Sequence, residues 1–480
     1  MTGRVAVVGA GAAGALTAVQ LMRQAERAGR RAEVWLIDPA AHTGRGVAYG
    51  TPDARHLLNV PAARMSAFPD DPGHFLRRLT ARDPHAAPGD FVSRREYGRY
   101  LGEVVEETAA RCRHVRLNRV RERVVAVRER DGGPVLRLSG GGELRVDAVV
   151  LALGALGGDH GWAGSGLRAS SRFVADPWAP GALEGPAAQG DVLLVGTGLT
   201  MVDVAVTLAR PGRVLHAVSR SGLLPREHLP VPAAAVQAPP LDGAHGLDAL
   251  RRGVRLHLAA GRRRCGDWRP ALDGLRPVTA ALWQQLSAAD RRRFLDQDLR
   301  MWEVHRHRVA PATAVAVGAL RAGGLLRVAA AEVVGAVPGA GAVEVSLSDG
   351  RRLRVAAVVA CTGPRMDLTG SDDPLVRCLL EHGWARPGPA GVGLDTRDEG
   401  RLVPAAGARA VRVWAVGAVR RGNLLETTAV PEIRVQAAQV AGAVWGVPGV
   451  SGAGVGAAGS SPVREGAVSP AAPVPVSAAP

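Results

Sequence analysis

The chain has 480 residues, too long for one hydrophobic core and enough for two large domains or about three ordinary ones. Hydrophobic content of 47% suits buried sheets, and the formal charge of +16 comes from 60 basic residues that are all arginine. Ala, Gly, Val and Arg dominate, so the basicity is partly a GC-rich coding bias; with no arginine–aromatic interleaving or nucleic-acid module, nucleic acid is not an expected partner.

Residues 1–38 read as strand, helix, strand. Val5-Ala6-Val7-Val8 runs into Gly9-Ala10-Gly11-Ala12-Ala13-Gly14, and the next strand, Glu33 to Ile37, ends at Asp38. In such a turn Gly9 permits the tight bend, Gly11 lets backbone approach a pyrophosphate, and Gly14 allows close helix packing. The new helix aims free N–H groups and the positive end of its dipole at phosphates. An acid placed like Asp38 accepts hydrogen bonds from a ribose 2′-hydroxyl, which points to a dinucleotide of the FAD type.

Residues 39–90 are loop-rich and include Gly44-Arg45-Gly46; so long an irregular segment in a compact domain is usually functional. Ser93 to Ala110 reads as a helix opened by a capping box of Ser93 and Glu96. From Val115 to Val146 apolar and polar residues alternate, with hairpin turns at Asp131-Gly132-Gly133 and Gly140-Gly141-Gly142. The strand Ala148 to Leu153 ends at Gly154, and a Pro/Gly-rich linker is expected over 160–190.

A second nucleotide unit begins at Asp191. Val192 to Val195 leads into Gly196-Thr197-Gly198-Leu199-Thr200-Met201, with Met201 where a third small residue is usual. Its following strand, Val214 to Val218, ends at Ser219-Arg220. An arginine there pairs with a 2′-phosphate, so the second cofactor reads as NADPH, held by Gly196, Gly198, Arg220 and a second arginine, Arg226. Thr200 bonds a phosphate oxygen or caps the helix, and Asp203 complements the helix dipole. About ninety residues rich in Arg and Trp, 221–310, then interrupt the pattern, helical from Pro277. Strands run from Leu325 to Ala360 and end at Cys361-Thr362-Gly363; a last strand, Val411 to Gly417, precedes a helix over Pro431 to Val444.

The expected architecture is α/β, two Rossmann-like dinucleotide-binding domains with the NADPH domain inserted into a split FAD domain. The parts are 1–159 (FAD, N-terminal), 160–190 (linker), 191–350 (NADPH, with the insertion), 351–447 (FAD, C-terminal) and a disordered low-complexity tail, 448–480. Cys112, Cys265, Cys361 and Cys378 are widely spaced without a CxxC, against a disulfide framework, a zinc ribbon or a redox dithiol. His305-x-His307 has no third ligand cluster nearby, so no metal is expected; its alternating arginines suit an exposed charged face first and anion or cofactor binding second. The chain opens directly into a strand, and its uncharged stretch between Arg434 and Arg464 is too rich in Gly, Ala, Ser and Pro to span a membrane. A soluble, cytoplasmic protein is expected.

The order of these elements resembles the two-dinucleotide-domain flavoproteins, which include the class B flavin monooxygenases. GRGVAYGT at 44–51, LLNVPAARMSAFPDDP at 57–72, GTGLTMVDV at 196–204, SRSGLLPREH at 219–228, WEVHRHRVAP at 302–311 and TAVPEIRVQA at 428–437 are more specific. Together they resemble the bacterial FAD/NAD(P)-binding family that includes flavin-dependent urate hydroxylase and the nitrosuccinate-forming aspartate N-monooxygenase, over the chain to about Gly446. The resemblance implies FAD and NADPH as cofactors, O₂ and a small anionic or amino-acid-like molecule as substrates, and oxygen transfer from a C4a-(hydro)peroxyflavin. N-hydroxylation of an amine or amino acid, with aspartate as a candidate, is the first expectation. Urate-type ring hydroxylation, an NADPH-dependent reductase or oxidase, and a redox-sensing flavoprotein are the alternatives. The Baeyer–Villiger fingerprint is missing, which disfavours ketone oxygenation. Arg45, Gly417 and Thr428 join Gly9, Gly11, Gly14 and Asp38 as expected FAD contacts, although Gly417 precedes Ala418 where many FAD proteins carry Gly-Asp. Asn59, Met65 and Ser66 are the candidates for the flavin's reactive face, and no side chain is assigned a certain catalytic role.

Overall fold

The computed structural model describes residues 2–241 and 246–447. Ten strands build two parallel sheets: β1 (Gly3–Val8), β2 (Ala32–Ile37), β3 (Val115–Val120), β4 (Ala148–Leu151), β5 (Phe173–Val174), β6 (Val192–Val195), β7 (Leu215–Ser219), β8 (Leu326–Ala330), β9 (Ala357–Ala360) and β10 (Val413–Ala415). The first sheet has the order β10-β4-β1-β2-β3 and the second β8-β7-β6-β9-β5, every neighbouring pair parallel. Parallel strands are covered on both faces, which is why β4, β6 and β9 are apolar and buried throughout. Each sheet carries a three-stranded antiparallel meander, over 124–145 and 333–355 respectively.

Six helices matter for function: α1 (Ala12–Arg27), α2 (Arg94–Arg111), α3 (Leu199–Leu208), α4 (Leu247–Cys265), α5 (Leu299–Arg306) and α6 (Val430–Trp445). On one face of the first sheet, α1 packs with α2, α6 and the 58–67 loop in a single core; the Trp445 indole N–H donates to the Leu21 carbonyl at 3.1 Å. The closing strand β10 returns to the first sheet by pairing Val413 with Val149.

Several expectations need correction. Strand β9 lies in the second sheet, paired with β6, so the segment from 351 begins in the second nucleotide unit and leaves it only after Cys361. Part of the 160–190 linker joins that sheet too, as β5 against β9. The physical reason is that an all-apolar strand such as Ala357–Ala360 needs a partner and cover on both sides. The insertion turns helical at Leu247, thirty residues before Pro277; α4 has little buried apolar surface to mark it in the sequence, since only Leu247, His257 and Gly261 are buried. The capping box does not form: Ser93 faces Leu57 in an antiparallel bridge, its hydroxyl makes no capping bond, and Glu96 pairs with Arg99 and Arg82.

Asp203 does more than complement a dipole. Its carboxylate takes a 2.5 Å bond from Arg94, at the start of α2, and the Arg94 guanidinium lies 5.1 Å from the centre of the Trp178 ring. His56 Nε2–H reaches the Asp203 carbonyl (3.1 Å) and Thr207 Oγ1 (2.9 Å), while its Nδ1 meets Thr51 Oγ1 at 2.7 Å. Thr207 in turn donates to Asp53 at 3.0 Å. The helix of the second glycine turn is thereby pinned to the first sheet's loops. Burial pushes the Asp203 carboxyl up to about 6 even with Arg94 beside it. Asp203→Ala should cost about 3 kcal/mol in urea unfolding, because it strands a buried guanidinium, whereas R94L with D203L should cost less than D203A alone.

Candidate active site

At the first turn Gly9 has φ +100°, and a Cβ there would lie 2.4 Å from the Ala152 carbonyl oxygen; one on Gly14 would lie 1.8 Å from the carbonyl oxygen of Gly9. Both positions therefore require glycine. Gly11 is open by comparison, its nearest neighbour being Gly46 Cα at 3.5 Å. No side chain caps α1, so its first-turn N–H groups face the mouth of the turn. Asp38 accepts from Ala10 N and Ala40 N, both at 2.7 Å, which holds its carboxylate on the rim. Gly44 N donates to the Ala10 carbonyl at 2.8 Å, and this brings half-buried Arg45 beside the turn. A glycine cradle, free helix N–H groups and an acid at the rim fit the adenosine pyrophosphate of FAD.

Gly417 is less available than expected. Its N–H goes to Gln436 Oε1 at 3.1 Å and its carbonyl accepts from buried Thr427 at 2.9 Å. Thr428, on the same segment, is exposed.

The second turn repeats the first. Gly196 has φ +110°, and a Cβ there would meet the Cys361 carbonyl oxygen at 2.2 Å. Gly198 precedes α3, which is also uncapped by a side chain, and Thr200 is half-buried in its first turn. Met201 is fully buried in the core beneath, so its bulk leaves the mouth of the turn free. Arg220 is exposed at the end of β7; Arg226 is exposed too, but its backbone is bound to Val304 and Val309.

A small cleft is walled by Asn59, Arg64, His228, Asp273, Arg276, residues 306–308, residues 426–429 and Glu432. Three of its arginines are matched by acids: Arg306 with Glu426 (2.7 and 2.9 Å), Arg276 with Glu432 (2.7 Å for the longer contact), and Arg308 with Asp273. Arg64 has no carboxylate within ion-pair distance among the described residues. His228 donates from Nε2 to the Asn59 carbonyl at 3.0 Å. Burial, reinforced by nearby arginines, brings both His228 and His307 down to about 4, so they are neutral at pH 7.

Of the three flavin-face candidates, the structure brings only Asn59 to this cleft. Met65 is 1% exposed, since an apolar thioether packs better into the core. Ser66 is buried, and its hydroxyl braces its own loop by donating to the Asp71 carbonyl at 2.6 Å. The 305–307 segment is not an exposed charged face either. His305 turns back to the Met301 carbonyl (2.8 Å) against Trp268, while Arg306 and Arg308 are buried by their acid partners. Arg64, Arg276 and Arg308 escaped the sequence reading because one arginine among 60 has no contrast; the usable signals were the positions of Arg64 inside the 57–72 run and of Arg308 inside the 302–311 run.

Residues 6–156 match the sequence model of an FAD-NAD(P)-binding family. No curated protein matches the chain in sequence. Among solved structures, the chain is similar to L-lysine 6-monooxygenase from Pseudomonas syringae (TM-score 0.63, 18% identity, 93% of this chain and 100% of that one). It is also similar to the ornithine hydroxylase of Pseudomonas aeruginosa (0.61, 16%, 93% and 100%) and to an FAD-bound cadaverine monooxygenase of Erwinia amylovora (0.60, 14%, 92% and 94%). At these identities the likeness shows a common fold: the two-sheet α/β architecture is shared along nearly the whole of each chain. No described helix is long and apolar enough to cross a membrane.

Two outcomes follow. Because His228 and His307 sit near 4 when folded and near 6.5 when unfolded, the unfolded chain binds more protons between those values. The stability that these two neutral histidines contribute is complete above about pH 6.5 and is lost as pH falls toward 4, opposed over part of that window by the raised carboxyl of Asp203; His307→Gln should flatten the decline in melting temperature. Arg220→Asp should weaken NADPH use more than NADH use in steady-state assays, and an unchanged ratio would exclude Arg220 as the 2′-phosphate contact.

Proposed function

We propose that this chain is an FAD- and NADPH-dependent monooxygenase that N-hydroxylates a small amine bearing a carboxylate, with aspartate the first candidate. The observation that carries the reading is the cleft, where Arg64 offers a cation with no acid of its own among the described residues and where every nearby histidine is neutral. FAD, held by the first turn, Asp38 and Arg45, supplies oxygen activation, with NADPH at the second turn as the source of hydride. The overall balance is NADPH, a proton, O₂ and the amine giving NADP⁺, water and the hydroxylamine.

The chain's own groups have three tasks in this reading. Arg64 receives a substrate carboxylate through charge-assisted hydrogen bonds. With the other three arginines neutralised by their acids, the single charge left by Arg64 makes the local potential positive, which lowers the pKa of a substrate ammonium and favours the nucleophilic free amine. Arg306 and Glu426 lock each other through two bonds and keep the wall rigid. Lysine, ornithine and cadaverine, named for the structural neighbours, are all amines, which supports the reaction class. Ring hydroxylation of an anionic purine is less well supported: among the described residues no Phe, Tyr or Trp lines the cleft to stack on a flat ring.

FAD-loaded protein supplied with NADPH and O₂ should be assayed against aspartate, lysine, ornithine, cadaverine and urate, with hydroxylated product identified by mass spectrometry. Coupled product from a carboxylate-bearing amine is expected. NADPH oxidation that yields only hydrogen peroxide with every amine would reject the proposal in favour of an oxidase. Arg64→Met should raise KM for the carboxylate substrate about tenfold or more while leaving FAD content unchanged.

A further inference from the structure

Arg300, near the start of α5 in the inserted segment, reaches the mouth of the second glycine turn. A single nitrogen, Nη2, donates to three neutral oxygens: the Thr197 carbonyl (3.1 Å), Thr197 Oγ1 (2.9 Å) and the Leu223 carbonyl. Its Nη1 stands 3.9 Å from where a Cβ on Gly198 would be, over the backbone that opens α3. No carboxylate lies within ion-pair distance of it among the described residues, and it is half-buried.

This placement is unfavourable as it stands. The N-terminus of α3 carries the positive end of the helix dipole and N–H groups without side-chain caps. A guanidinium packed against it adds like charge to like, and burial further disfavours the charged form, which draws the Arg300 pKa down. An anion lodged between the two relieves both costs. Thr197 fixes the arginine for that purpose, because its hydroxyl is also tied to Ser219 at 2.8 Å, at the end of β7.

We propose that Arg300 is a binding residue for the pyrophosphate of the dinucleotide at the second turn, a role that rests on the NADPH reading of that turn. The pyrophosphate is the relevant anion because it sits at the helix N-terminus in such folds, while the 2′-phosphate belongs at the end of the next strand, where Arg220 stands. The consequence reaches the cleft. Helix α5 is 8 residues long, about 12 Å. It carries Arg300 at one end and, toward the other, Arg306 on Glu426 and Glu303 on Arg421 (2.7 Å). A phosphate held by Arg300 therefore steadies the helix that forms one wall of the substrate cleft.

The test is equilibrium binding of NADP⁺, NAD⁺ and ADP-ribose to the FAD-loaded protein, followed by calorimetry, for wild type, Arg300→Gln, Arg300→Lys and Arg220→Asp. Arg300→Gln should weaken all three ligands alike by about tenfold or more, with Arg300→Lys intermediate, whereas Arg220→Asp should weaken NADP⁺ selectively. In parallel, wild-type protein is treated with phenylglyoxal and its arginine peptides are read by mass spectrometry. NADP⁺ and ADP-ribose should protect Arg300, a result that needs no variant to fold. Unchanged affinities in Arg300→Gln, a loss confined to NADP⁺, or an unprotected Arg300 in protein that binds NADP⁺ would each overturn the assignment. Wild-type protein that binds none of the three ligands would overturn the NADPH reading itself and this inference with it.

Discussion

Two close approaches between backbone atoms set out the molecule. At Gly9 the chain passes over the carbonyl of Ala152, and at Gly196 over that of Cys361, each nearer than any β-carbon allows. Each contact joins the end of the strand before the turn to the end of a neighbouring strand, β1 to β4 and β6 to β9, and so locks a strand–helix–strand unit against the chain that returns beside it. From that geometry follow the direction of α1 and α3, the aim of their free N–H groups, and the placing of Asp38 and Arg220 at the ends of the second strands. One steric constraint, used twice, produces both anion-binding mouths.

Arginine is the other organising theme. A chain with 60 guanidinium groups cannot leave them all in solvent, and burying them unpaired is costly. The cleft resolves this by pairing: Arg306 with Glu426, Arg276 with Glu432, Arg308 with Asp273. Such pairs add little net stability but hold their geometry firmly, since breaking one strands the other. Other buried arginines, among them Arg213, Arg291 and Arg420, have no acid partner among the described residues and donate to backbone carbonyls instead. Arg64 and Arg300 each face an opening with no acid of their own among the described residues, one in the cleft and one at the second turn.

The two nucleotide units are also tied by the helices that serve them. Helix α3 begins at the second glycine turn and, from its middle to its end, offers Asp203 and Thr207 to Arg94 and His56 of the first unit. Helix α5 runs from that same turn into the cleft. Glycine turn, domain contact and cleft wall are therefore parts of the same short elements, which limits how far any one can move alone.

Much of this was legible in the linear chain. Gly9, Gly14 and Gly196 announce themselves because only glycine fits a backbone passing over a carbonyl, and all-apolar runs such as Val192–Val195 mark strands buried on both faces. Ends of strands, and the acid or arginine placed there, follow from local spacing alone. Tertiary structure decided the rest. The sheet to which Ala357–Ala360 belongs depends on a partner more than 160 residues away, and nothing in four apolar residues names it. Met65 and Asn59 share one loop, yet only folding sends one into the core and the other to the cleft. The same holds for charge: composition establishes how many arginines there are, but which of them lack an acid is a matter of distances between segments remote in sequence, and those exist only once the chain has folded.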